Sequence, residues 1–327
     1  MLPTAPDPLA SAPDRGPTLA VVSCDGNPLG RILASNLVVY LRALREDLPL
    51  LALGLGRAVE LQQSLPLAAV GGGGVASDTA VLTAPSLNAA LRLGQFGVHH
   101  VDACAAECIS KRVAHDPQGL SALLDRTRWG GLVVLAVRFE DPEQVMASLR
   151  AADAGLLCAR SPAELERISR WLEPARAAAD GGPQLRLAFV GVDRSARARI
   201  GGRDTLRVLR EQVAQRGWAT CRTAIVRSRR CEAALAKHGG GASILHRVPG
   251  SVLDRRMRRL AEEVDSWLGL RRVAAQVRTR SARRARTVRS GESPGAWHRL
   301  LLPEAEARRA GVRRVRARAR APGGERA

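Results

Sequence analysis

Continuous apolar runs, separated by stretches of helical periodicity, constrain this chain more than any single residue does. They are LAVVS (19–23), LLALGL (50–55), GLVVLAV (131–137), AGLLCA (154–159), LRLAFVGV (185–192) and the shorter TAIV (223–226). A strand with one wet face alternates apolar and polar residues, whereas an unbroken apolar run is covered on both faces, as in a parallel sheet held between helices. Helical patterns fall between the runs, at 31–45, 118–127, 142–151, 162–178, 204–216 and 251–268. The order predicts a three-layer, doubly wound, mostly parallel α/β domain. In the last helix Val252, Leu253, Leu260, Val264 and Leu268 are placed on one apolar face, and Arg255, Arg256, Arg258 and Arg259 occupy much of the remainder.

The organisation around this domain follows from composition. Residues 1–17 read as a proline-rich leader, 18–270 as the α/β domain with AAVGGGGVAS (68–77) as a loop, and 271–327 as an arginine-rich extension with low packing potential and no expected order. No run reaches 18 apolar residues, and the first residues lack a basic stretch followed by an apolar one, so the expected location is the cytoplasm. Six scattered cysteines fit reduced thiols rather than a disulfide framework. The net charge is +20, and residues 271–327 carry 17 arginines against four glutamates, a net +13. Such a polycation attracts phosphate backbones or anionic headgroups by releasing counterions. An arginine- and alanine-rich composition alone also produces such a tail.

The first apolar run opens the stretch TLAVVSCDGNPLGRILASNLVVYLRAL (18–44), a strand, a glycine-bearing turn and a helix. That sequence of elements presents backbone N–H groups and a helix N-terminus to an anion, so Asp25, Gly26, Asn27, Gly30, Arg31 and Ile32 are the candidate nucleotide-contacting residues. Other constellations carry less. His99, His100, Cys104 and Cys108 have zinc-compatible side chains, but without a paired CxxC spacing, and the cysteines sit among alanines as core residues do. No nucleophile-elbow pentapeptide is present, and no residue is assigned a catalytic or metal-binding role.

Several phrases resemble the ParA/MinD family of deviant P-loop ATPases. Without a gap, DGNPLGRILASNLVVYL lies over the family's Lys-Gly-Gly-x-Gly-Lys-Thr-Thr and the helix after it, with Asn36-Leu37 on the family's Asn-Leu. AADAGLLCARSPAELERISRWLE (151–173) is similar to the strand and helix after the Walker B segment. TAIVRSRRCEAALAKHGGGASILHRVPGSVLDRRMRRLAEEVDSWL (223–268) resembles the family's C-terminal segment, with Ile225, Arg227, Glu232-Ala233 and Gly239 in the matching places.

The departures fall on the chemistry. In the ungapped register the signature lysine becomes Asp25 and the catalytic lysine Gly30; shifted by one, Arg31 meets the lysine position and Ile32 the magnesium-binding hydroxyl. Gly54 and Gly56 replace the Asp-x-Asp carboxylates, and Leu135 or Ala136 the Walker B aspartate. DPQG (116–119) occurs in many family members after the Asp-x-Asp strand but here follows SKRVAH, and is read as coincidence. The resemblance therefore implies a degenerate pseudo-ATPase of partitioning or intracellular positioning, with no required cofactor and weak ATP binding. It also implies non-specific contact with double-stranded DNA through Arg255, Arg256, Arg258, Arg259 and the tail, an unidentified protein partner and homodimerisation, with nucleoid association as the corresponding location. Two alternatives stay open: an active divergent ATPase using Arg31, and a MinD-like membrane-surface or scaffold adaptor for division, pilus or flagellum placement. The tail's poverty in large apolar residues favours nucleic acid over lipid.

Overall fold

The computed structural model describes residues 15–59, 61, 90–94, 96–101, 103–127, 129–177, 183–193, 200, 203–236 and 243–289. Each apolar run becomes a strand: β1 (Thr18–Ser23), β2 (Leu50–Gly54), β5 (Leu132–Arg138), β6 (Ala154–Ala159), β7 (Gln184–Val192) and β8 (Ile225–Val226). Two short strands, β3 (Leu91–Leu93) and β4 (His99–Val101), complete an eight-stranded sheet ordered β3-β4-β2-β5-β1-β6-β7-β8. Every pairing is parallel except β3 with β4. Strands β1, β2, β5 and β6 are buried along their whole length, as unbroken apolar runs require.

The helices are α1 (Pro28–Arg31), α2 (Leu33–Leu44), α3 (Ala103–His115), α4 (Gly119–Thr127), α5 (Pro142–Ala151), α6 (Pro162–Ala177), α7 (Thr205–Gln215), α8 (Arg229–Ala236), α9 (Ile244–Arg247), α10 (Val252–Trp267) and α11 (Leu270–Arg289). The β1–α2–β2 crossover runs one way along the sheet and β5–α5–β6 the other, so two right-handed crossovers place α2 and α5 on opposite faces. Helix α10 packs on α2, and α3 and α4 pack on α5. Strand β1 lies between β5 and β6, and the crossovers diverge around it, which makes its carboxyl end the crevice of the sheet.

The C-terminal part of this body is fastened to α2 by polar contacts. Asn36 Oδ1 accepts the Ile244 N–H at 2.7 Å, the Tyr40 hydroxyl donates to Asp254, and Arg45 makes a bidentate pair with Asp265 at 2.7 and 2.6 Å. Burial and the adjacent Asp254 carboxylate push the Tyr40 hydroxyl pKa up, so it remains a donor. Asn36, on the family's Asn-Leu, thus joins the helix after the loop to a segment more than 200 residues away.

The chain divides into two bodies, Met1–Ala275 and Gln276–Ala327. Helix α11 begins within the first, where Leu270 and Ala274 are buried, and supplies the described residues of the second. Residues 271–289, read from sequence as an extension of low packing potential, are therefore helical. Alanine and arginine are among the better helix formers, and neither glycine nor proline interrupts this stretch. The leader as far as residue 14, the loop 68–77 and residues 290–327 lie outside the described residues.

Candidate functional site

Asn27 organises the turn after β1. It caps α1, with Pro28 at the first helical position, the arrangement that Asn and Pro favour at a helix start. Its side chain is fully buried; Oδ1 accepts the Gly30 N–H at 3.0 Å while Nδ2 donates to the Val190 carbonyl of β7 at 2.8 Å. Gly191 makes room for it: at φ +78° the backbone suits glycine, and a Cβ there would meet Asn27 Oδ1 at 2.5 Å. Removing the amide would strand both partners in the interior. Asn27→Ala is expected to destabilise the fold by about 2–4 kcal/mol, read from the urea midpoint.

The candidate residues Asp25, Gly26, Asn27, Gly30, Arg31 and Ile32 are brought together here, but the loop's donors face inward. The Asp25 N–H goes to Glu140 Oε2 at 3.1 Å, Asn27 N–H to the Cys24 carbonyl at 3.1 Å, Gly30 N–H to the Asn27 side chain, and Arg31 N–H to the Asn27 carbonyl at 2.9 Å. Pro28 has no N–H at all. Sequence alone suggested that the backbone cradle survives the loss of the lysine; in the fold only Gly26 and Leu29, between residues 25 and 31, take no part in this internal set. A carboxylate of the protein, Glu140, already accepts the Asp25 N–H.

The second feature is Arg138, the last residue of β5, in register with Ser23 at the end of β1. It is only 3% exposed, and its guanidinium donates to Ser23 Oγ, the Gly30 carbonyl (3.5 Å) and the Arg31 carbonyl (3.1 Å), with Nε 3.4 Å from Asp25. The resemblance implies a magnesium-binding carboxylate on this strand; β5 brings a buried cation instead. Leu135 and Ala136 are buried within the sheet. Charge of both signs then alternates outward: Arg57 reaches Asp25 (3.3 Å) and Asp141 (3.5 Å), Arg167 reaches Glu140 (3.2 Å), and Arg160 pairs with Glu164 (2.7 Å) while donating to the Gly26 carbonyl. The Cys24 thiol beside this network is pushed up to about 12 by burial and by the neighbouring Glu164 and Glu140 carboxylates, so it stays protonated at neutral pH.

Gly56, at the second Asp-x-Asp position, has φ +56°, and a Cβ there would fall 2.3 Å from Asp141 Oδ2. Asp141 accepts the adjacent Arg57 N–H at 2.7 Å, so a carboxylate from after β5 closes the space a side chain at 56 would need. Arg31 is exposed and Ile32 half-buried at the break between α1 and α2. On the other side of the loop a cavity of about 470 Å³ opens between Gly26, Pro28, Arg160, Gly191, Arg227 and Glu232. Arg227 and Glu232, two of the matched C-terminal positions, pair at 3.0 Å on its wall. The volume lies within the range of small-molecule sites.

The other sequence candidates are placed as follows. Arg255, Arg258 and Arg259 are exposed on α10, with Glu262 one turn on, whereas Arg256 is half-buried and donates to the Ala224 carbonyl at 3.3 Å. Val252, read as part of the apolar face, is 56% exposed at the helix start, and Met257 and Ala261 are buried instead. DPQG forms a turn before α4, where Asp116 Oδ1 accepts the N–H groups of Gln118 (3.2 Å) and Gly119 (3.1 Å). His100 is buried, His99 packs edge-on to Trp129, and Cys108 is exposed on α3. Among the described residues, no group of three or more His, Cys, Asp and Glu is placed to hold a metal, and no helix is long and apolar enough to cross a membrane. Sequence reasoning missed Arg138, Glu140 and Asp141; the visible signal was the acidic-basic run Arg138–Asp141 directly after an apolar strand.

No protein-family model and no curated protein sequence matches the chain. Solved structures do. A ParA family ATPase from Chlorobium tepidum superposes with a TM-score of 0.54 at 15% identity, covering 76% of this chain and 98% of that one. A chain of the MinC:MinD cell division protein complex of Aquifex aeolicus gives 0.54 at 11%, covering 77% of this chain and 96% of that one. A McdA variant from Cyanothece in complex with ATP gives 0.52 at 14%, covering 78% and 97%. Together with the strand order and the turn at the end of β1, these likenesses establish that the chain has the fold of the ParA and MinD ATPases.

Proposed function

We propose that this protein is a ParA/MinD-like pseudo-ATPase, acting in partitioning or positioning by binding DNA and a protein partner rather than by turning over nucleotide. The observation that carries the reading is the closed loop after β1. The N–H groups of Asp25, Asn27, Gly30 and Arg31 are engaged by Glu140, the Asn27 side chain and the loop's own carbonyls, and the Arg138 guanidinium bridges the loop carbonyls to β5. A phosphoryl-transfer site needs free donors, a cation on the terminal phosphates and oxygen ligands for magnesium. Here only the Gly26 and Leu29 N–H groups stay outside the internal set, a phosphate cradled by the whole loop would have to displace Glu140 and break the Asn27 cap, and magnesium would approach a fixed guanidinium.

The exposed Arg255, Arg258 and Arg259 on α10, with the arginines that follow residue 270, supply the duplex-binding surface in this reading. Their charge is sequence-independent in effect, which suits a protein that holds DNA without reading it. Phosphate release from magnesium-ATP by the full-length protein tests the catalytic half. The expected rate is indistinguishable from that of buffer; magnesium-dependent turnover abolished by Arg31→Ala, with the fold retained, would establish the divergent ATPase instead.

A further inference from the structure

We propose a second nucleic-acid site, for an unpaired nucleotide, on the flank where α7 leads into the segment 217–222: the base stacks on Trp218 and the phosphate meets Arg210 and Arg222. Trp218 is half-exposed and lines two cavities, of about 400 Å³ and 260 Å³. Arg210, Val213, Trp218, Cys221 and Arg222 line the larger, and none of its lining residues is acidic.

The two arginines differ from their neighbours in charge balance. Arg203 and Arg207 pair with Glu211, Arg216 with Glu166 and Arg227 with Glu232. Arg210 and Arg222 are exposed and make no ion pair among the described residues; Arg210 only donates to the Arg222 carbonyl at 3.1 Å, which draws the two together. Glu263, the carboxylate that reaches this segment, is engaged by the N–H groups of Arg222 (2.7 Å) and Thr223 (2.8 Å) and by the Thr223 hydroxyl. Two uncompensated guanidiniums therefore face a cavity walled by an indole.

The smaller cavity repeats the pairing. Gln184, Arg186 and Trp218 line it; the Arg186 guanidinium lies 4.7 Å over the Trp267 ring, whose N–H donates to Gln184 at 3.0 Å, and the Arg216 guanidinium lies over one face of the Trp218 ring, 5.3 Å from its centroid, so the base takes the other face. Only 3% of the chain is aromatic, and two of its five tryptophans stand half-exposed beside arginines here. An aromatic platform next to unpaired cations takes a ligand with a flat ring and a negative charge, and a nucleotide carries both. A duplex hides its ring faces in the stack, so the occupant is unpaired. The site uses neither the α10 arginines nor the tail and stands or falls separately from the duplex reading.

The test titrates full-length protein with the single strand dT12 at low salt while following tryptophan emission. Wild type is expected to lose emission, and Trp218→Phe to lose the quenched component although it still folds by circular dichroism. The double substitution Arg210→Ala, Arg222→Ala is expected to move the quenching midpoint about tenfold or more, by the usual size of such contacts. Thymidine monophosphate in place of dT12 separates the sources: quenching of Trp218 by the mononucleotide assigns the site to free nucleotides, and quenching by the strand alone assigns it to single-stranded nucleic acid. Equal quenching in wild type and Trp218→Phe, an unmoved midpoint in the double variant, or no quenching of wild type by either ligand would overturn the proposal.

Discussion

Replacing Arg138 with alanine is expected to cost about 3–5 kcal/mol of stability, the usual range when one partner of a buried charged network is removed. The side chain is nearly inaccessible and serves four acceptors at once: Ser23 Oγ, two loop carbonyls and the Asp25 carboxylate. Without it Ser23 Oγ and the two carbonyls lose this donor, the Gly30 carbonyl keeping the Ile32 N–H, and Asp25 keeps the more exposed Arg57. Arg138→Lys should recover little of the loss, because one ammonium on a flexible stem does not span acceptors that the planar fork reaches together. Arg31→Ala, a change of an exposed side chain in the same loop, is expected to stay within about 0.5 kcal/mol. Urea unfolding of the three variants separates these cases. An Arg138→Ala midpoint equal to wild type would mean that the guanidinium does not hold the loop closed.

The second large effect concerns duplex DNA. A protein that neutralises several phosphates together loses affinity steeply with salt, with a log-log slope of about 0.9 per phosphate contacted; six to ten contacts correspond to a loss of about 10³–10⁵ between 50 and 200 mM. Full-length protein is expected to fall within that behaviour in fluorescence anisotropy, with affinities that do not depend on sequence. Deleting 271–327 removes a net +13 and should flatten the slope most. Replacing Arg255, Arg258 and Arg259 by alanine should flatten it by about 1 per arginine that meets a phosphate. Arg256 is expected to contribute least, since it is half-buried and donates to the Ala224 carbonyl. Glu262, one turn along the same face, limits the local charge, so Glu262→Gln should tighten binding slightly. Binding to anionic vesicles with no binding to DNA at low salt would favour the adaptor reading.

The fold was legible because its central strands are covered on both faces and so appear as unbroken apolar runs; every such run became a strand within one or two residues of the expected limits. Strands β3 and β4 escaped notice for the opposite reason. They are three residues each, the outermost two strands on one side of the sheet, and contain Arg92, His99 and His100, which leave no apolar run to recognise. Val252 was misplaced because a residue in the first turn projects beyond the packed part of the helix, while Met257 fills the stripe two turns deep.

The site was legible only as far as local chemistry extends. Asn27 and Pro28 announce a helix start, and the missing lysine and carboxylates can be read directly. How the turn is tied to the rest of the fold is decided elsewhere. Glu140, Arg138 and the Val190 carbonyl are each more than 100 residues away and arrive through strand register, with Ser23 opposite Arg138. A cation at the end of β5 is invisible as a substitute until the register puts it beside the loop. The same holds for Asp141, whose closeness to Gly56 explains why no side chain could stand there.

In this reading the protein's own groups occupy the phosphate cradle, and the decisive test is calorimetric titration of magnesium-ATP into full-length protein. The expected result is no saturable heat at ligand concentrations up to about 1 mM, since a phosphate held by the whole loop must displace Glu140 and disrupt the Asn27 cap at a cost comparable to the roughly 4 kcal/mol that millimolar affinity provides. A saturable, magnesium-dependent isotherm in the micromolar range, lost on substituting Arg31 but not on replacing Trp218, would show that the loop after β1 is an open nucleotide site.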